Sequence, residues 1–159
     1  MPTPIQQYLR EVERDYAGGK ATEHTYRPAF KALVESFGKN TRATNEPKRV
    51  ACGAPDFIVE RSGNQIGFIE CKDIGVRLDE TEKSEQLTRY FAGLENLILT
   101  DYLEFRYYLR GEQKMHVQLA RIDARGKVKL MQGADEQLAT LFDCFVVAKP
   151  PMISTPKEL

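Results

Sequence analysis

The sequence has 159 residues, 42% of them hydrophobic and 29% charged, which fits one globular domain and excludes a disordered or fibrous chain. Lys plus Arg equals Asp plus Glu at 23 each, so the composition lacks the basic excess of a protein that coats nucleic acid, and any basic surface has to be local. Three cysteines without a CxxC spacing argue against a zinc site, and no segment has the roughly 18 apolar residues of a membrane span. We therefore expect a cytoplasmic protein that does not associate with membranes.

Two helices are predicted at the start of the chain. Apolar residues at steps of three and four predict a helix over residues 4–17. A second helix is predicted over residues 22–38, with Glu23 and Arg27 on one face. Residues 39–48 are polar, and we expect them to form a loop that leads toward a sheet.

Short strands and tight turns are predicted after this loop. Apolar or alternating runs predict strands over residues 50–52, 56–60 and 65–72. Ser62-Gly63-Asn64 separates the last two runs and predicts a hairpin turn. The later predicted elements are a helix over 79–95, strands over 96–100, 105–110 and 115–122, an extended segment over 127–131 and a helix over 134–148.

This order of elements predicts an α/β fold with a central mixed β-sheet flanked by helices. We expect a single domain over residues 1–150. Residues 151–159 are rich in proline and polar side chains, which predicts a linker toward a following domain.

Charged side chains end both strands of the predicted hairpin. Side chains alternate between the two faces of a strand, so Glu70 and Lys72 share one face while Cys71 lies on the other. Asp56, at the start of the preceding strand, can approach Glu70 and complete a pair of oxygen ligands of the kind that Mg²⁺ binds. A divalent ion beside a lysine suits phosphodiester hydrolysis, which needs an activated water and stabilised charge on the phosphate. The alternative is a structural ion pair at a strand end.

The order Pro55-Asp56, thirteen further residues and then Glu70-Cys71-Lys72 resembles the motif of the PD-(D/E)xK nuclease superfamily. The resemblance implies a restriction-endonuclease-like fold in which Asp56 and Glu70 bind the metal ion and the backbone carbonyl of Cys71 completes the inner sphere. It also implies that Lys72 positions or activates the nucleophilic water. The implied ion is Mg²⁺, with Mn²⁺ as an alternative.

Two further positions resemble features of this superfamily. Glu23, on the predicted helix before the sheet, resembles an acidic residue that many members contribute to metal binding. Gln86 and Tyr90 resemble the QxxxY element of the RecB-like and Mrr-like branches, which implies that Gln86 belongs to the catalytic site, lies beside Lys72 and contacts substrate or water. The alternatives are that Glu23 complements its helix dipole and that Tyr90 is a core residue.

A closer resemblance spans most of residues 20–110 and is to the amino-terminal nuclease domains of type ISP and type IIG restriction-modification enzymes. The stretches that carry it are TEHTYRPAFKALVESF, NEPKR, GAPDFIV, IECKDIG and LENLILTDYLEFRYY. The resemblance implies double-stranded DNA as the substrate, and methyltransferase and target-recognition domains that are linked to or associated with this chain. Cutting both strands would then require transient pairing of two nuclease domains.

Basic residues near the motif are candidates for contacts with DNA phosphates, namely Lys48, Arg49 and Arg89. The alternative is that these side chains are merely solvated. Two other functions also fit the sequence. One is a stand-alone DNA repair or junction-resolving nuclease, and the other is a non-catalytic DNA-binding or assembly module with a degenerate site.

Overall fold

The structure is a computed structural model that describes residues 1–45 and 50–147. Five helices and eight strands lie in these two ranges: α1 (Pro4–Ala17), α2 (Arg27–Glu35), β1 (Thr41–Asn45), β2 (Phe57–Arg61), β3 (Asn64–Cys71), α3 (Leu78–Thr81), α4 (Glu85–Gly93), β4 (Asn96–Thr100), β5 (Glu104–Leu109), β6 (Glu112–Gln118), β7 (Ala120–Ile122), β8 (Val128–Leu130) and α5 (Ala134–Val147).

A six-stranded mixed sheet is the centre of the fold. Its strands follow the order β1-β2-β3-β4-β5-β6, and a second, two-stranded sheet consists of β7 and β8. The pair β3 and β4 is parallel, whereas the other neighbouring pairs of the large sheet are antiparallel. The parallel pair requires a crossover connection, and α3 and α4 provide it. The predicted fold class, a central mixed sheet flanked by helices, is confirmed.

The two faces of the sheet are covered by different helices. On one face, α1, α2 and α5 bury the larger hydrophobic cluster, which includes Phe30, Ile69 and Phe142. On the other face, α3 and α4 bury a smaller cluster that includes Phe68 and Leu87. Because strand side chains alternate, the even-numbered residues at the end of β3 lie on the α4 side. None of the described helices is both long and apolar enough to cross a membrane.

The β2–β3 hairpin closes through a two-residue turn at the predicted position. Ser62 and Gly63 have φ angles of 52° and 83°, and a turn with two positive φ angles matches the twist of antiparallel strands. Arg61 pairs with Asn64 next to the turn, and Phe57 pairs with Ile69 at the open end. The turn, together with a register shift between Val59 and Glu60, therefore sets which residues meet at the open end.

The edge strand β1 lies where the sequence predicts a loop. Ala43 is fully buried, while Arg42 and Thr44 on either side are exposed, which is the alternation of a strand with one buried face. The side chains of β1 are mostly polar, so no apolar alternation marks the strand in the sequence, and it is defined by its pairing with β2. The strand predicted over 50–52 is instead a turn, closed by a bridge between Val50 and Gly53.

Three other predicted boundaries were wrong. Residues 23–26 form turns, so α2 begins at Arg27, later than predicted. The helix predicted over 79–95 is divided into α3 and α4, because the Ser84 hydroxyl accepts from the backbone N–H of Leu87 and caps a new helix there. The strand predicted over 115–122 is likewise divided between β6 and β7.

Candidate active site

The open end of the β2–β3 hairpin brings Asp56 and Glu70 together. Phe57 pairs with Ile69, so Asp56, which precedes Phe57, lies opposite Glu70, which follows Ile69. The backbone N–H of Asp56 donates to Oε1 of Glu70 at 3.2 Å. The hairpin register thus places the two carboxylates side by side, as the sequence predicts.

Each carboxylate oxygen of Asp56 has a fixed donor. The backbone N–H of Cys71 donates to Oδ2 at 2.7 Å. The guanidinium of Arg27 donates from Nη2 to Oδ1, also at 2.7 Å. These two contacts hold the plane of the carboxylate between β3 and the start of α2.

Lys72 lies between Glu70 and Gln86. Its Nζ is 3.3 Å from Oε2 of Glu70 and donates to Oε1 of Gln86 at 3.0 Å. Gln86 in turn donates from Nε2 to the hydroxyl of Tyr90 at 3.4 Å, one turn further along α4. The structure therefore brings Gln86 into contact with the lysine, while Tyr90 is buried in the smaller core cluster and orients the glutamine.

Burial makes the charged form of Glu70 costly. Its side chain is only 5% exposed, compared with 24% for Lys72. Burial and the neighbouring carboxylate of Asp56 raise the pKa of Glu70 to about 7, although Lys72 acts in the opposite direction. Its surroundings therefore favour the protonated form of Glu70, and a cation bound beside it would favour the charged form.

Arg27 belongs to the site, and our sequence analysis did not assign it there. The residue is 4% exposed at the first position of α2. Besides Asp56, its guanidinium donates to Oδ1 of Asn45 at 3.0 Å, and the buried Nε has no hydrogen-bond partner among the described residues. Burial alone lowers the pKa of Arg27, but Asp56 raises it above its ordinary value. The only sequence signal was its four-residue spacing from Glu23.

Glu23 lies in the turn before α2, not on the helix. Its Oε1 is 3.9 Å from the same Nη2 of Arg27 that contacts Asp56. The hydroxyl of Tyr102 donates to the backbone carbonyl of Glu23 and fixes this turn against the core. The structure therefore places Glu23 near Asp56, with the arginine in contact with both.

The predicted DNA-contacting residues are only partly described. Arg89 lies on α4, one turn after Gln86, and its side chain is exposed at the surface. Its Nε donates to the carbonyl of Cys52, and its Nη1 pairs with Glu85 at 2.9 Å. Lys48 and Arg49 lie outside the described residues.

The donor set fits a Mg²⁺ ion that is held largely by water and substrate. Among the described residues, no group of three or more His, Cys, Asp or Glu side chains is arranged to hold a metal. Mg²⁺ is commonly bound by one or two carboxylates, with waters and phosphate oxygens completing its octahedron. Asp56 and Glu70 provide such a pair, and burial of Glu70 makes its charged form unfavourable unless a cation binds beside it.

Comparison with solved structures supports the fold. The chain is similar to one in a DrdV–DNA complex determined by cryo-EM, with a TM-score of 0.71 and 23% sequence identity. The similarity covers 94% of this chain and 14% of that chain, so the chain spans a small part of the protein it matches. No family model matches the chain, and no curated protein matches its sequence. At this level of identity, the similarity shows that the two share a fold.

Proposed function

We propose that the chain is a Mg²⁺-dependent endodeoxyribonuclease domain, the cleavage module of a larger restriction-modification protein. The observation that carries this proposal is the cluster at the open end of the hairpin, where the carboxylate of Glu70 contacts both the backbone of Asp56 and the ammonium group of Lys72. The DrdV structure, in which 14% of the chain shares this fold, is a complex with DNA. Both observations favour a phosphodiester as the substrate.

Each residue of the cluster has a chemical task in this proposal. Asp56 and Glu70 would hold the divalent ion, with the backbone carbonyl of Cys71 as a further ligand. When bound, the ion supplies Lewis-acid stabilisation of charge that develops on the phosphate. Lys72 orients the attacking water and offers a positive charge to the reacting phosphate, and Gln86 holds the lysine in place.

The proposal includes a wider assembly. The match covers 14% of the DrdV chain, which supports a protein with further domains, and target recognition and methylation would reside in domains that are linked to or associated with this one. A single site cuts a single strand, so cleavage of duplex DNA would require transient pairing of two such domains. Arg89, together with Lys48 and Arg49, would contact the phosphate backbone.

A plasmid-cleavage assay tests the function. Supercoiled plasmid is incubated with the chain in Mg²⁺, in Mn²⁺ and in EDTA, and nicked and linear products are separated on a gel. We expect nicking that depends on the divalent ion and is abolished by Lys72→Ala. The matched control is Lys114→Ala, which removes an exposed lysine on the edge strand β6.

Three results would contradict the proposal. One is the absence of cleavage with either ion, which would favour a DNA-binding or assembly module. Another is cleavage that persists in EDTA, and the third is full activity of Lys72→Ala. Preferential cutting of branched junctions over plain duplex would favour a stand-alone repair or junction-resolving nuclease.

A further inference from the structure

Arg27 occupies a position that a second metal ion would need. Its Nη2 is 2.7 Å from Oδ1 of Asp56 and 3.9 Å from Oε1 of Glu23. Two-metal nucleases hold their ions about 3.5–4 Å apart, and both ions need carboxylate oxygens. In this chain the two carboxylates that could hold a second ion contact one guanidinium group instead.

The arginine is held too firmly to be displaced at low cost. Its side chain is buried, and Asn45 accepts a hydrogen bond from Nη1 at 3.0 Å. A guanidinium stays protonated under all ordinary conditions, so its positive charge cannot be removed by losing a proton. Moving it away from Asp56 would leave a buried cation without its counter-ion, which is strongly unfavourable.

Electrostatic repulsion then limits the number of divalent ions that the site can bind. A divalent ion between Glu23 and Asp56 would lie against the fixed positive charge of Arg27, and like charges at such distances repel strongly in a buried setting. On the opposite side of Asp56, toward Glu70, Oδ2 accepts from the uncharged N–H of Cys71. The cation on that side is Lys72, which contacts Glu70 at 3.3 Å and not Asp56, and which is 24% exposed and therefore freer to move than the buried Arg27. One side of Asp56 is open to an ion and the other is not.

We infer that Arg27 takes the place of a second metal ion, so that the site binds one divalent ion between Asp56 and Glu70 while Glu23 pairs with the arginine. This inference rests on the proposed function and concerns the metal stoichiometry of the same site. It assigns Glu23 to orienting Arg27, in contrast to the ligand role that the sequence resemblance implies.

Counting bound Mn²⁺ ions tests the inference without any measurement of cleavage. The free Mn²⁺ signal in electron paramagnetic resonance is followed during titration of the chain, and calorimetry gives the affinity. We expect one ion per chain in the wild type and in Glu23→Gln, with affinities that agree within about threefold. Asp56→Asn is expected to lose this ion.

Substitution of Arg27 provides the second part of the Mn²⁺-binding experiment. In Arg27→Gln we expect a second, weaker Mn²⁺ ion to bind, and the double variant Arg27→Gln, Glu23→Gln is expected to return to one ion. Arg27→Lys keeps a positive charge and should stay at one ion. Arg14→Gln, which removes an exposed arginine of α1, is the matched control. Circular dichroism and thermal melting establish that each variant is folded.

Two ions in the wild type, or a tenfold loss of affinity in Glu23→Gln, would overturn the inference while leaving the proposed function intact. A folded Arg27→Gln variant that still binds one ion would also overturn it. If Arg27→Gln does not fold, the wild type and Glu23→Gln decide the question. Failure of the wild type to bind any ion would overturn the proposed function and this inference together.

Discussion

The backbone N–H of Asp56 donates to Oε1 of Glu70 at 3.2 Å, across the open end of the β2–β3 hairpin. The main chain of one candidate ligand thus orients the side chain of the other. The turn and the register shift between Val59 and Glu60 together set this register, and a further shift of one residue would turn these side chains to opposite faces of the sheet. The relative position of Asp56 and Glu70 therefore depends on the pairing of the strands more than on the surrounding loops.

Asp56→Asn is expected to abolish metal-dependent cleavage. The amide oxygen can accept from only one of the two donors, Cys71 or Arg27, while its NH2 group would face the other, and the amide lacks the negative charge that a divalent ion requires. Loss of an outer contact to a metal ligand typically costs about 10- to 100-fold in affinity or activity, so loss of a ligand itself should exceed this. Initial rates of plasmid nicking measure the effect, and Asp135→Asn, an exposed residue at the start of α5, should retain full activity.

Gln86→Ala is expected to slow cleavage without abolishing it. Lys72 donates to Gln86 at 3.0 Å, and without this acceptor its ammonium group is free to move closer to Glu70 and away from the substrate. We expect a fall of about 10- to 100-fold in rate, the range typical of residues that orient a catalytic group. Mn²⁺ affinity should change little. Single-turnover kinetics measure the rate.

A matched glutamine separates this effect from a general loss of structure. Gln113 is exposed on the edge strand β6, so Gln113→Ala should leave the rate unchanged. An unaltered rate in Gln86→Ala would show that Lys72 is oriented by other contacts. A complete loss of activity would assign Gln86 a direct role on the substrate.

Part of the candidate site can be predicted from the sequence because its geometry is local. The alternation of side chains along a strand places Glu70 and Lys72 on one face. It does not predict the register shift between Val59 and Glu60, which brings Asp56 opposite Glu70. Gln86 required a resemblance to a known motif, since its contact with Lys72 depends on how α4 packs on the sheet. The mixed sheet followed from the order of the predicted strands and helices.

Arg27 could not be assigned from the sequence, because its contacts depend on tertiary packing. Its partners Asp56 and Asn45 come from the start of β2 and the end of β1, and β1 itself was predicted as a loop. Glu23 was placed on a helix because residues 22–38 carry a helical apolar pattern. Residues 23–26 instead form turns, and the hydroxyl of Tyr102 fixes them by donating to the backbone carbonyl of Glu23. This contact joins residues far apart in the chain, so no local sequence pattern indicates it.

Metal-free stability is expected to depend on the ionisation of Glu70. Its pKa is raised from 4.5 to about 7, so the folded protein binds a proton more tightly than the unfolded chain does. The resulting stabilisation is fully present below pH 4.5 and is lost as the pH rises through about 7. A shift of this size corresponds to on the order of 3 kcal/mol.

Glu70→Gln should remove this dependence, since the amide does not titrate. Urea unfolding in EDTA between pH 5 and pH 8 measures the free energy of unfolding of the variant and of the wild type. As the pH rises, the wild type is expected to lose stability relative to the variant. Glu136→Gln, at the exposed start of α5, serves as the control and should follow the wild type. Parallel curves for Glu70→Gln and the wild type would contradict the prediction.

Tyr102→Phe is expected to destabilise the protein modestly and to loosen the turn that carries Glu23. Tyr102 is fully buried with a φ of 77°, an uncommon conformation for a non-glycine residue. Its hydroxyl donates to the carbonyl of Glu23, and its own carbonyl accepts from Tyr8. Removal of the hydroxyl keeps the ring in the core and should cost about 1 kcal/mol, the usual net contribution of one hydrogen bond.

Urea unfolding measures this cost, and hydrogen exchange at the amides of residues 22–26 measures the loosening. Tyr16→Phe is the matched control, because that residue is 39% exposed on α1 and its hydroxyl should contribute little. Since Asp56 and Glu70 are held by the hairpin, Mn²⁺ affinity should stay at the wild-type value in Tyr102→Phe. A large loss of affinity would show that the turn at Glu23 takes part in metal binding, which the contact between Glu23 and Arg27 argues against.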